Sequence, residues 1–273
     1  MKVTRRERGG VPFYACDGFA GAVHGFSTRL GGVSPAPWDS LNLGAARGDE
    51  AERVAENFRR FCAAAGCDSA ALVKNRQVHG DRVRAVTRAD IMASPDAPGV
   101  FEADALVTDV PGVCLTVFSA DCIPVLLFDP VRRAAGAAHA GWRGSALGVA
   151  ARTAEELCTR WGCAPEDILA AVGPGISACC FETRADVPQA LRRGLGAEAE
   201  DCIRPLPGGD KFSVDLKRAN VRWLLRAGLR PEHIAVCSAC TACSGEEFWS
   251  HRRLGERRGS MAAVIQLTGP AAN

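Results

Sequence analysis

Two histidines and one cysteine stand where a chain can leave reactive side chains beside open backbone. His79 lies in Asn75-Arg-Gln-Val-His-Gly80, and His139 in Ala137-Ala-His-Ala-Gly-Trp-Arg-Gly144. Between them, Ser119-Ala-Asp-Cys122 interrupts a stretch otherwise fit for a core strand. Two imidazoles and a thiolate form a coherent ligand set for Zn2+, with a fourth position left for water or substrate, as in catalytic sites. The same three residues could instead supply a thiolate nucleophile and a histidine base, or be satisfied core and loop residues. Neither sequence separation is that of a zinc finger, so a shared site must be assembled by tertiary structure. This ligand set also suits blue copper, which adds a weak axial methionine. Met1, Met92 and Met261 all lie far from Cys122 in sequence, so copper is disfavoured.

Secondary candidates surround this set. Gly141-Trp-Arg-Gly144 precedes a helical pattern whose first N–H groups favour an anion, and Arg143 could add a forked cation; a tight turn with a solvated Arg is the alternative. Asp121, next to Cys122, could orient a ligand or shuttle a proton, or support the ligands from behind. His24 and His251 sit among polar and basic residues, and His233 enters a strand. Cys240-Thr-Ala-Cys243 has metal-knuckle spacing, but no second pair stands at a matching distance, so neither a zinc ribbon nor a disulfide is expected there. Gly31-Gly32, Gly141 to Gly144 and Gly173-Pro-Gly175 match neither a phosphate loop nor a dinucleotide fingerprint.

Regular elements must position these groups. An acidic first turn with Val54, Phe58 and Phe61 predicts a helix over 49–65. Residues 85–103 read as a loop. Ala105–Thr108, Val113–Phe118, Ile123–Phe128 and Ala134–His139 read as short buried strands. A helix is expected over 145–161, stopped by Gly162, and another over 215–227, stopped by Gly228. Strands follow at Ile168–Val172, Ile234–Cys237 and Ala262–Leu267. Several connections are too short for parallel crossovers. The fold class is therefore mixed α/β, partly antiparallel, and not a simple doubly wound sheet. No linker divides the chain, so a single compact domain over 1–273 is expected.

Composition narrows the function classes. The chain has 273 residues, 47% of them hydrophobic and 23% charged, which excludes a disordered chain. A net charge of +2 gives no broad nucleic-acid footprint. The most apolar stretch, Val113 to Phe128, is broken by Asp121 and Pro124 and is too short to span a membrane. The N-terminus carries no apolar run of secretory length. The 13 cysteines are scattered through apolar contexts, as reduced core thiols are, and imply a cytoplasmic setting.

The order of motifs carries a resemblance. His24-Gly-Phe-Ser-Thr-Arg29, Gly31-Gly-Val-Ser34, Gln77-Val-His-Gly80, Ala103-Asp-Ala-Leu-Val-Thr-Asp109, Ala120-Asp-Cys-Ile-Pro124 and His139-Ala-Gly-Trp-Arg-Gly144 occur in sequence. Gly173-Pro-Gly-Ile176, Cys240-Thr241 and Phe248-Trp-Ser-His-Arg-Arg253 follow. The set resembles the YfiH/YlmD family, also called the laccase-domain or multi-copper polyphenol oxidase family. The resemblance implies a zinc site in a surface pocket, with His79, Cys122 and His139 as ligands. It also implies phosphorolysis of adenosine, inosine, guanosine and methylthioadenosine, and deamination of adenosine, with nucleoside and phosphate as small-molecule partners. On this reading His79, Cys122, His139, Arg143 and Asp121 are the catalytic candidates. Arg76, Arg143, His24, Asn42 and Arg252 are the substrate-binding ones. A cysteine-dependent amidase acting on peptidoglycan precursors and a copper-dependent polyphenol oxidase are the alternatives. Neither nucleic acid nor a membrane is an expected partner, and the oligomeric state stays open. Two positions depart from the family pattern: His251 replaces an aromatic residue, and Gly259-Ser260, preceded by Arg257-Arg258, stands where Gly-Arg is usual.

Overall fold

Strict alternation of side chains decides the architecture. In a strand, neighbouring residues face opposite sides of the sheet, and in Ile123–Asp129 both sides are apolar and buried. Val125 and Leu127 join one core, while Leu126 and Phe128 join another. Ala105–Thr108 and Ala134–Ala140 divide their residues between the same two cores. Strands buried on both faces require layers on both sides. The structure, a computed structural model, describes residues 1–269. The four C-terminal residues of the expected domain lie outside the described residues.

One six-stranded sheet runs, in order across it, Val3–Arg8, Val11–Cys16, Ala22–Ser27, Met261–Leu267, Cys114–Ser119 and Leu72–Lys74. A second runs Ile234–Val236, Leu169–Val172, Ile123–Asp129, Ala134–Ala140, Ala105–Thr108 and Val83–Ala85. Pairing is antiparallel except at three edge pairs: Leu72–Lys74 with Cys114–Ser119, Leu169–Val172 with Ile234–Val236, and Val83–Ala85 with Ala105–Thr108. The inner faces of the two sheets meet in a core holding Phe26, Leu115, Ile265, Leu106, Leu126 and Phe128. The helix Ala51–Ala65 covers the outer face of the first sheet through Val54, Phe58 and Phe61. Helices Val149–Trp161, Asp186–Leu195 and Leu216–Arg226 cover the outer face of the second. Each fully buried Phe or Leu contributes roughly 2 kcal/mol to these interfaces. The result is a four-layer sandwich, helix on sheet on sheet on helices, and the mixed α/β class read from the sequence is observed.

Two details correct the sequence reading. The helix expected over 145–161 is two helices, Trp142–Leu147 and Val149–Trp161. Gly148 between them is left-handed at φ 78°, with the Trp223 ring packed where a side chain would stand. The expected loop over 85–103 includes the end of the edge strand Val83–Ala85 and a short 3-10 turn, Arg88–Asp90, capped by Thr87. A third sheet of Glu182–Thr183, Phe212–Val214 and Ile203–Pro205 also forms, from segments too short and too exposed to show a period.

Candidate metal centre

Two of the three candidate ligands come from places where the chain passes between the sheets, and the third from a strand of the second sheet. Cys122 lies in the turn joining Cys114–Ser119 of the first sheet to Ile123–Asp129 of the second. His79 lies in the connection from Leu72–Lys74 to Val83–Ala85, which also changes sheets. His139 sits near the end of Ala134–Ala140. Their donor atoms all fall within 4.8 Å of one another. The His79 and His139 rings stand edge to face with centroids 4.9 Å apart. The His79 Nε2 to Cys122 Sγ distance is 3.8 Å, close to the roughly 3.6 Å that a tetrahedral zinc sets between a nitrogen and a sulfur ligand.

One buried carboxylate organises the set. Asp104 accepts hydrogen bonds from the backbone N–H groups of Val78, His79 and Gly80 at 3.1, 2.9 and 2.7 Å. Its Oδ1 also accepts from His139 Nδ1 at 2.8 Å. That bond fixes the imidazole with Nε2 free for a ligand, the outer-shell support that metal-binding histidines commonly have. Burial pushes the Asp104 carboxyl up, but the hydrogen bonds from His139 and Gly80 outweigh it and hold it below the usual carboxylate range. The three N–H groups converge because His79 takes a left-handed backbone, φ 62°. Gln77 fastens the same loop to Phe118, donating to its carbonyl at 3.0 Å and accepting from its N–H at 2.6 Å.

The centre is poised electrostatically. Burial alone would raise the Cys122 thiol, but the charge of His139 and hydrogen bonds from both histidines bring it down to about 6. The thiolate is thus the prevailing form at neutral pH, as a ligand or a nucleophile requires. His139 is raised to about 9, because Cys122 and Asp104 outweigh its burial. Gly141 completes the cradle, since a Cβ there would stand 2.7 Å from His79 Cδ2 and 3.2 Å from Cys122 Sγ. Donor types, spacing, fixed tautomer and cradle all fit a divalent ion.

The set opens on a cleft of about 600 Å³, within the range of small-molecule sites. Arg47, Lys74, Arg76 and Arg258 bring positive charge to it, and Phe118 and Pro98 bring apolar surface. Burial lowers Lys74 to about 8. Burial and the neighbouring Arg47 also push Arg258 below its ordinary value. Cations crowded in this way favour an anionic ligand.

Several expected site residues stand elsewhere. Of the substrate-binding candidates, Arg76 lines the cleft and pairs with Glu102. Arg143 does not line it: the side chain turns outward from its helix and stacks over Trp142, 4.2 Å from the ring centroid. His24 is buried inside the first sheet, where its Nε2 accepts from the Cys16 N–H at 2.9 Å and its ring packs on Phe19. Asn42 is fully buried and accepts from the N–H groups of Gly44 and Ser260, so it shapes the wall of the cleft from behind. Arg252 stacks on Phe181 and donates to the carbonyls of Cys180 and Glu182.

Asp121, beside Cys122, does not line the cleft. Its carboxylate accepts from Thr241 Oγ1, Ser250 Oγ and the Arg252 N–H at 2.6, 3.0 and 2.6 Å. Its left-handed φ of 92° turns the chain sharply into Cys122. Arg258, next to the Gly259-Ser260 departure, reaches the cleft and donates to Ser260 Oγ. Sequence reasoning missed Asp104, Arg47 and Lys74. The one available signal was a lone carboxylate heading the apolar run Ala105–Thr108. The pair Cys240 and Cys243, read as lacking a matching pair, lies against Cys179 and Cys180.

Known proteins share this chain's family and fold. The family described as multi-copper polyphenol oxidoreductase laccase matches residues 23–268. A purine nucleoside phosphorylase YlmD of Geobacillus stearothermophilus is 39% identical over 253 residues, covering 90% of each chain. A purine nucleoside phosphorylase of Deinococcus radiodurans is 39% identical over 260 residues, covering 94% of each. The crystal structure of YlmD from Geobacillus stearothermophilus superposes with a TM-score of 0.90 at 36% identity, over 98% of this chain and 100% of that one.

Proposed function

This chain belongs to the multi-copper polyphenol oxidoreductase laccase family, and on that premise we propose that it is a zinc-dependent purine nucleoside phosphorylase that also deaminates adenosine. The observation that carries the reading is the joining, in one cleft, of a His2Cys donor set with four cations and an apolar wall. The relatives named as purine nucleoside phosphorylases support it. Adenosine, inosine, guanosine and methylthioadenosine are the proposed substrates.

His79, Cys122 and His139 would hold the metal, which when bound supplies Lewis-acid charge beside the attacking group. Zinc suits this donor set, and no methionine lines the cleft to serve as copper's axial ligand. Lys74, Arg47 and Arg258 hold phosphate by charge, and Phe118 offers an apolar face to the purine. A phosphate oxygen attacks C1′ of the ribose as the C1′–N9 bond breaks. The electron pair leaves with the base, which takes up a proton, and the products are ribose 1-phosphate and the free purine. In deamination, water adds at C6 and ammonia leaves. Positioning and charge stabilisation supply most of the rate. A reduced, cytoplasmic setting fits the 13 free cysteines, and no helix of the described residues is long and apolar enough to cross a membrane.

Chromatography of adenosine incubated with and without phosphate, together with metal analysis, tests the reading. Adenine should form only with phosphate, inosine should form without it, and zinc should be present. His79→Ala, Cys122→Ala and His139→Ala should each lose zinc from the cleft and at least 100-fold in turnover. Full activity in Cys122→Ala ends the proposal. Cys122 also has the geometry of a thiol nucleophile beside a histidine; activity that survives chelation but not alkylation selects that chemistry instead.

A further inference from the structure

Four cysteines outside the cleft meet at one point. Cys179 and Cys180 follow the strand Leu169–Val172 through the Gly173-Pro174-Gly175 turn, and Cys240 and Cys243 lie in the loop after Ile234–Val236. These two strands are parallel neighbours, so both loops leave the same end of the second sheet. A bridge between Gly175 and Cys240 continues the pairing. All four sulfurs lie within 4.8 Å of one another. Cys179 and Cys180 stand 3.5 and 3.4 Å from Cys243. Tetrahedral zinc with four bonds of about 2.3 Å spaces its sulfurs about 3.8 Å apart, and a disulfide needs about 2.05 Å.

We propose that Cys179, Cys180, Cys240 and Cys243 form a second zinc site, closed and structural, that ties these two loops together. Four protein ligands leave no open position, which separates this site in kind from the three-ligand centre of the cleft. The surroundings match the charge of such a site. Four thiolates on Zn2+ carry two net negative charges. The buried Lys217 sits between the two loops, donating to Ser177 Oγ and to the carbonyls of Cys237 and Ala239 at 3.0, 3.0 and 2.6 Å. It makes no ion pair with a carboxylate among the described residues. Arg252 and Arg253 donate to the carbonyls of Cys180 and Ala242, adding cations on the other side. The Ser177 N–H points at Cys240 Sγ at 3.3 Å, a contact that stabilises a thiolate. Loading the site sends the thiol protons to solvent.

The site also reaches the turn that carries Cys122, through Thr241 and Arg252. Thr241, between the two ligands Cys240 and Cys243, donates to Asp121, which sets the turn carrying Cys122.

Metal analysis of the full chain purified without chelator tests the proposal, through the difference between variants rather than a total. Wild type should hold one zinc per chain more than Cys240→Ser/Cys243→Ser. His79→Ala/His139→Ala should keep that equivalent, so failure of the cleft reading leaves this test intact. With Co2+ in place of zinc, His79→Ala/His139→Ala should show thiolate-to-cobalt charge transfer and tetrahedral bands that disappear when the Cys240→Ser and Cys243→Ser changes are added. If the cysteine variant does not fold, mercurial titration of His79→Ala/His139→Ala should release one zinc as four thiols react. Equal zinc in wild type and the cysteine variant, iron in place of zinc, no zinc released by the mercurial, or a disulfide among the four in freshly prepared protein overturns the site.

Discussion

At the scale of single residues, type and setting made His79, Cys122 and His139 candidates, because few side chains ligate a metal and the chain has only five histidines, and the order of the family motifs singled them out. Residue type could not separate His24 from them. What sets His24 apart is burial in the first sheet, with one ring nitrogen accepting the Cys16 N–H. Burial pushes its pKa down to about 4. The sign follows from which state binds the proton. Above the unfolded value of 6.5 both states are neutral, and as pH falls from 6.5 towards 4 only the unfolded chain takes up the proton. Stability is therefore full above 6.5 and declines by about 3 kcal/mol on the way to pH 4. His139 is shifted the other way, so in the metal-free chain its contribution is full below 6.5 and is lost as pH rises through about 9. The two windows do not overlap. Denaturant unfolding at pH 7 and pH 4.5 should show a smaller loss for His24→Gln, which keeps an acceptor but cannot titrate, than for wild type. Equal losses would show that His24 is not what makes the fold acid-sensitive.

At the scale of elements, periodicity carried the buried strands and the helix Ala51–Ala65, and it failed at glycine. A glycine reads as punctuation, but its purpose depends on what stands beside it in space. Gly148 splits one expected helix into two because Trp223 occupies the room a side chain would take. Gly141-Trp-Arg-Gly144 reads as an anion cradle with Arg143 as its cation, yet Arg143 points away. Gly141 instead lets two ligands approach the backbone closely. That contact makes Gly141→Ala a selective probe. Its φ of −63° is open to alanine, so the backbone itself is not strained. The added methyl must displace His79 or Cys122, at a cost of about 1–3 kcal/mol. The expected result is a 10-fold or greater loss of metal affinity in the cleft, with far-UV circular dichroism unchanged. Metal affinity equal to wild type would mean that the ligands move aside freely and that Gly141 is only a turn residue.

At the scale of the whole molecule, the pairing of the fifteen strands of the described residues into three sheets was not legible, because register and order are set by contacts between distant segments. The sequence shows which strands are buried on both faces but not which neighbours they take. The site depends on that missing information. His79 and Cys122 stand where the chain crosses from one sheet to the other, and His139 belongs to the second sheet alone. An ion held by all three therefore bridges the two central layers, and its binding free energy must appear as resistance to their separation. With free metal at 100 times Kd the linkage contributes about 2.7 kcal/mol, or about 5–10 °C in Tm for a chain of this size. Titrating zinc into chelator-treated protein should raise Tm by that much, and should slow amide exchange in residues 75–81 and 119–123 more than in the distant hairpin Val3–Arg8 with Val11–Cys16. His79→Ala should lose this part of the response and keep any part that comes from the four-cysteine cluster. A Tm response in His79→Ala equal to that of wild type would show that the three side chains, although close, do not hold a metal across the seam between the sheets.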